Sequence, residues 1–84
     1  MSQTVVEVLT AATDSVTLIN GIEDGSIVRS DLTQNEINEM VQNNVDHLET
    51  ILAYTDPDVA GSSADKSSYT TAITTGKAYI AANS

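Results

Sequence analysis

The stretch that decides the fold is residues 32–55, LTQNEINEMVQNNVDHLETILAYT. Thr33 stands where an N-cap belongs, and Glu36 follows three residues later. That spacing is a capping box, in which each of the two side chains accepts a backbone N–H at the start of a helix. Leu32 and Ile37 have the spacing of a hydrophobic staple across the same turn. Ile37, Met40, Val41, Leu48, Ile51 and Leu52 then recur at three- and four-residue steps, which places them on one helical face. Asp56-Pro57 predicts the end, because a residue before proline is pushed out of the α region.

Outward toward the C-terminus, DPDVAGSS (residues 56–63) reads as a loop, and a second helix is expected over about 64–82. Tyr69, Ala72, Ile73, Gly76 and Ile80 share a face. The Thr and Gly content of this segment lowers its intrinsic helix propensity, so packing has to hold it. Gly76 lies in the middle of the apolar face. We read it as a point of close helix approach rather than a break, because the apolar period continues to Ile80. A short connection favours antiparallel neighbours. Folding the chain about residue 59 pairs Leu48 with Tyr69, Val41 with Gly76 and Ile37 with Ile80. Asn44 falls on the same face as Val41 and Leu48. It is either a buried amide that needs a hydrogen-bond partner or a residue at a solvated gap.

Residues 1–30 support two readings. Val5, Val8, Leu9, Ala12, Val16 and Ile19 keep a helical period, with Asn20-Gly21 suited to its end. TVVEVLT and SVTLI are rich in β-branched residues that favour strands, and Asn20-Gly21 and Asp24-Gly25 are turn signals. The expected fold class is therefore mainly α: an antiparallel helical hairpin, about 33–55 and 64–82. The N-terminal segment is a third helix or, as the alternative, a β-hairpin or extended arm. The whole of 1–84 makes one small domain, with residues 1–30 as a packing or arm segment, 33–82 as the hairpin and a hinge at 20–26.

Composition narrows the function. Twelve acidic residues against Arg29, Lys66 and Lys77 give a formal charge of −9. Three separated cations make no basic patch for phosphates, so nucleic-acid binding is not expected, and an anionic membrane repels the chain. No stretch is apolar enough to span a bilayer, and MSQTVVEV lacks the pattern of a signal peptide. Without cysteines, no disulfide or thiolate metal site staples the fold. Val, Ile and Leu total twenty, and the three tyrosines are the only aromatics, so the core is thin. A thin, unstapled core points to partner subunits.

No catalytic, cofactor or metal site is expected. His47 is the only histidine, so it has no second imidazole for a relay or a metal pair. It reads as a boundary residue rather than a pH-sensitive contact. Asp56, Asp58 and Asp65 suggest Ca²⁺ but lack the glycine and closing glutamate of an EF-hand loop. Glu23-Asp24-Gly25-Ser26 is a second acidic turn. No nucleophile elbow, Walker A loop or dinucleotide fingerprint is present. The expected contact residues are Val5, Val8, Leu9, Tyr69 and Tyr79. The expected helix-packing residues are Ile37, Val41, Asn44, Leu48, Ile73, Gly76 and Ile80.

LTQNEINEMVQNNVDHLETILAY followed by SSYTTAITTGKAYIAANS resembles segments of short virion-associated proteins of tailed bacteriophages, over the C-terminal half to two-thirds of the chain. The resemblance implies a structural virion component: a capsid decoration or cement protein, or a small neck or tail protein. Its partners would be capsid, neck or tail subunits and copies of itself, and its location the virion; otherwise a soluble cytoplasmic protein is expected. It carries over no catalytic residue. The alternative is a small acidic regulatory module, an inhibitor or a charge mimic of nucleic acid, acting on a host protein.

Overall fold

The computed structural model describes residues 5–54 and 63–84, and over these the protein is mainly α. Three helices pack on one another: α1 (Val5–Asp24), α2 (Gln34–Leu52) and α3 (Ser63–Ala82). The N-terminal segment is thus the third helix, not a hairpin or arm. Its β-branched residues are accommodated because one face is buried: Ala12, Ser15, Ile19 and Ile22 lie at alternating three- and four-residue steps within the core. Packing against two neighbours outweighs the weak strand preference.

The end of α1 is not at Asn20-Gly21, because the helix continues to Asp24. Gly21 lies inside the helix, where a Cβ would collide with the side chain of Ile27 folded back over it. The chain turns instead at Gly25, whose φ of +85° is open to glycine but strained for other residues. The Asp24 carboxylate accepts the Ser26 N–H at 2.8 Å, and the Ile27 N–H donates to the Gly21 carbonyl at 3.0 Å.

α2 begins as its sequence demands. The Thr33 hydroxyl accepts the Glu36 N–H at 3.2 Å, and the Glu36 carboxylate accepts the Thr33 N–H at 2.9 Å. The helix stops at Leu52, with Ala53 as its C-cap, so it ends before Asp56-Pro57 and that dipeptide is not its direct stop. The predicted loop at 56–63, including Asp56 and Asp58, lies outside the described residues except for Ser63, which opens α3.

α2 runs antiparallel to both α1 and α3, which leaves α1 and α3 parallel. The core between them is aliphatic, its largest fully buried side chains being Ile19, Val41, Val45, Leu48 and Ile51. α3 does not break at Gly76. A Cβ there would lie 2.6 Å from Val45 Cγ2 and 3.3 Å from both Ile19 Cγ2 and Val41 Cγ1, so all three helices converge on the bare α-carbon. The nearest partner of Gly76 is Val45, which the sequence period did not single out, and Val41 comes next.

Asn44 sits between α1 and α2 with its amide engaged. Its Oδ1 accepts the hydroxyl proton of Ser15, itself buried, at 2.8 Å, and its Nδ2 donates to the Met40 carbonyl at 2.8 Å. The solvated-gap reading is set aside. A neutral side-chain pair of this kind contributes about 1 kcal/mol, and it fixes how α1 is set against α2.

Candidate interaction surface

The outer surfaces of the three helices differ sharply in charge. Among the described side chains, exposed positions on α1 are Glu7, Thr10, Thr13, Asp14, Thr17, Asn20, Glu23 and Asp24, half of them carboxylates. On α2 they are Gln34, Asn35, Glu36, Glu39, Asn43, Asp46, Glu49 and Thr50, again half. On α3 they are Ala64, Ser67, Ser68, Thr70, Thr71, Thr74, Lys77, Ala78, Ala81 and Ala82, with no carboxylate. The one acid of α3, Asp65, is half-buried in its first turn.

The exposed face of α3 is also less polar than its composition suggests. Thr70 donates its hydroxyl proton to the Lys66 carbonyl at 3.0 Å, and Thr74 donates to the Thr70 carbonyl at 3.1 Å. These hydroxyls already have acceptors within their own helix, so covering them strands no donor. Two open grooves follow one another along the seam between α1 and α3. One, about 370 Å³, is lined by Val16, Asn20, Ala64, Ser67, Ser68 and Thr71. The other, about 610 Å³, is lined by Glu23, Thr74, Thr75, Ala78, Tyr79, Ala82 and Asn83. Among the described residues, Glu23 is the only carboxylate in either.

The residues expected as contacts are divided by the fold. Tyr69 is 2% exposed and belongs to the core, so it is not an outward contact residue in this chain. Burial raises its phenol above the ordinary value of 10.0, and the nearby Asp65 carboxylate adds to the effect. Tyr79 is half-buried, packs against the core, and accepts a hydrogen bond from Gln34 Nε2 at 3.0 Å. Val8 and Leu9 are half-buried on α1; Val8 packs against the core, while Leu9 lines a shallow depression with Thr10, Thr13 and Asp14. The side chain of Val5 lies outside the described residues. Of the helix-packing set, Val41, Leu48, Ile73 and Gly76 are buried, Ile37 and Ile80 pack at the core margin, and Asn44 makes the polar bridge.

Two cations are engaged locally. Arg29 forms a bidentate pair with Asp31, Nε to Oδ1 at 3.0 Å and one terminal nitrogen to Oδ2 at 2.9 Å. This holds the Asp31 carboxyl below its usual range and the guanidinium above its own. Lys77 Nζ lies 3.3 Å from Glu49 Oε2 across α2 and α3. The turn carboxylate of Asp24 is held low by the Ser26 hydrogen bonds. His47 is half-buried, with an Nε2 that is sealed from solvent and has no hydrogen-bond partner. Among the described residues no cluster of His, Asp and Glu side chains is placed to hold a metal ion. No described helix is long and apolar enough to cross a membrane.

The carboxylate-free face of α3 was legible in principle. Apart from Lys77, its outward positions carry Ser, Thr and Ala where an ordinary soluble helix carries Glu and Lys. What was missing was the knowledge of which side of α3 faces out. Comparison with protein-family models, with curated proteins and with solved structures finds no match.

Proposed function

We propose that this chain is a non-enzymatic structural component that works by packing against protein subunits, with the exposed face of α3 as its docking surface. The observation that carries the reading is the charge partition: half of the exposed positions on α1 and α2 are carboxylates, and none on α3 is. Depletion of charge at the centre of a contact, surrounded by a polar rim, is the compositional mark of protein interfaces. The resemblance of residues 32–54 and 67–84 to virion-associated phage proteins suggests the setting: capsid decoration or cement, or a small neck or tail component. The grooves lined by Thr71 and by Thr74 would receive an apolar ridge of the partner.

The acidic surfaces of α1 and α2 favour a second reading, a regulatory module that docks on a basic host protein or mimics nucleic-acid charge. The two readings use opposite sides of the molecule. In particles of a tailed phage that encodes this chain, mass spectrometry is expected to find it at a fixed ratio to a capsid, neck or tail protein. Incorporation is expected to fail for Thr74→Glu. Absence from particles would remove the virion reading. A soluble basic partner whose binding weakens with salt and is lost on joint Glu36→Gln, Glu39→Gln and Glu49→Gln substitution would replace it.

A further inference from the structure

We infer that Asn20-Gly21 is a latent site of covalent backbone rearrangement, which folded α1 holds off and which opening of the turn at Gly25 releases. The inference is independent of what docks on α3.

The reactive pair is set by sequence. Asn20-Gly21 is the only Asn-Gly pair in the chain. Glycine has no Cβ, so its backbone nitrogen approaches the preceding side chain with little hindrance. In an open chain the Gly21 nitrogen attacks Asn20 Cγ. The N–Cγ bond forms, the Cγ–Nδ2 bond breaks, and Nδ2 leaves as ammonia with the proton from the Gly21 nitrogen. One water then opens the five-membered imide at either carbonyl. The product is an aspartate at position 20 or an isoaspartyl linkage, in which the main chain runs through the side-chain carbon. Nothing is oxidised or reduced.

The fold removes what this reaction needs. Ring closure requires rotation about the Asn20 backbone away from helical angles and a Gly21 nitrogen free to attack. Both residues are helical, because α1 runs on to Asp24. At such a position the Gly21 N–H is engaged by the carbonyl four residues earlier, that of Thr17. The Gly21 carbonyl is engaged too, accepting the Ile27 N–H at 3.0 Å, and the Ile27 side chain lies over the Gly21 α-carbon. Gly25, at φ +85°, and the bond from Ser26 N–H to the Asp24 carboxylate shape the turn that brings Ile27 back. The pair is therefore held by the helix before it and by the turn after it. The Asn20 side chain is exposed, so the guard is backbone geometry and not exclusion of water.

The products suit this helix end poorly. A carboxylate at position 20 has Glu23 and Asp24 three and four residues on, both exposed. Like charges at that spacing destabilise a helix, and a negative charge in the last turn opposes its dipole. An isoaspartyl linkage adds a carbon to the main chain and breaks the helical register. Either product loosens the turn whose opening allowed it to form.

The test uses the full chain at mildly alkaline pH, in native buffer and in parallel in denaturant. Peptide mapping by mass spectrometry reads the exchange of NH for O at Asn20. Conversion is expected to be about tenfold or more slower in the folded chain, which corresponds to an opening free energy of about 1.4 kcal/mol or more. Hydrogen exchange is expected to show the Gly21 amide protected in native buffer. In denaturant, where folding plays no part, Gly21→Ala is expected to slow conversion. Gly25→Ala strains the turn and is expected to raise the native rate about fivefold or more, with the rate in denaturant unchanged. Ile27→Ala removes the side chain over Gly21 and is expected to raise the native rate as well; it carries the same test should Gly25→Ala not fold. Equal conversion of folded and unfolded chain overturns the inference. So does an unprotected Gly21 amide, or a native rate unmoved by turn variants that circular dichroism shows to be folded, or a rate in denaturant indifferent to Gly21→Ala.

Discussion

α2 and α3 are nearly equal in length, 19 and 20 residues, yet they are helices for different reasons. α2 carries its own instructions. Its first turn is closed by a reciprocal Thr33–Glu36 box, and Val41, Val45, Leu48 and Ile51 make a continuous buried stripe. α3 is rich in Ser and Thr, carries Gly76 at its centre, and is held by what it touches. The contrast extends to the surface, where α2 faces water with carboxylates and α3 does not. A helix that specifies itself keeps its outer face for water, whereas α3 owes its helical state to the two helices it touches.

The largest expected effect is at the point where α3 depends on α2. Gly76→Val forces side-chain atoms into Val45, Val41 and Ile19, and overpacking of this kind costs about 1–3 kcal/mol, with the upper end expected here. Chemical denaturation should show it as a lower midpoint at unchanged slope. Gly76→Ala sharpens the point. Alanine gains about 1 kcal/mol of helix propensity but meets the Val45 methyl, so it should destabilise the native chain and stabilise a Val45→Ala background. Additive behaviour in that cycle would mean that the contact does not govern α3.

Next comes Asn44, where α2 meets α1. Asn44→Ala leaves the Ser15 hydroxyl without its acceptor and should cost about 1–3 kcal/mol, with part recovered by adding Ser15→Ala. No recovery would show that the pair is not coupled. The cap is smaller: Thr33→Ala should cost about 1 kcal/mol. The same contrast predicts that a peptide of residues 32–54 is more helical by circular dichroism than one of residues 63–84. Equal helicity would break the comparison. The smallest effect is a slope with pH. Tyr69 has a raised folded value, so its contribution is complete below the ordinary tyrosine value of 10.0 and is lost as pH rises toward the folded one. Melting temperature should therefore fall with pH in that alkaline range, and Tyr69→Phe should flatten the slope.

The same contrast explains what could be read from residues alone. Thr33, Glu36 and the apolar period fixed α2 because those signals are local. Gly76 was legible as a close approach, but its nearest partner, Val45, depends on how far α3 is turned about its axis, which no local pattern states. In α1 the β-branched residues left strand and helix open, and the answer came from burial of Ala12, Ile19 and Ile22 against two other helices. Asn20-Gly21 looked like a terminus because the side chain that fills the space above Gly21, Ile27, arrives from beyond the turn. The proposed contact surface was the least legible feature. Tyr69 has the chemistry of an interface residue and the position of a core residue, and only the orientation of α3 separates the two.

The order of the three described helices has a practical consequence. Because α1 and α3 run parallel, α1 starts at one pole of a body 36 Å long and α3 ends at the other. A label near residue 7 and one at residue 84 would ride at opposite tips, which suits distance measurements by fluorescence transfer. Two copies joined in tandem would need a linker that spans roughly 30 Å, about nine or ten extended residues, to lie side by side in the same direction. A shorter one would leave them antiparallel or end to end.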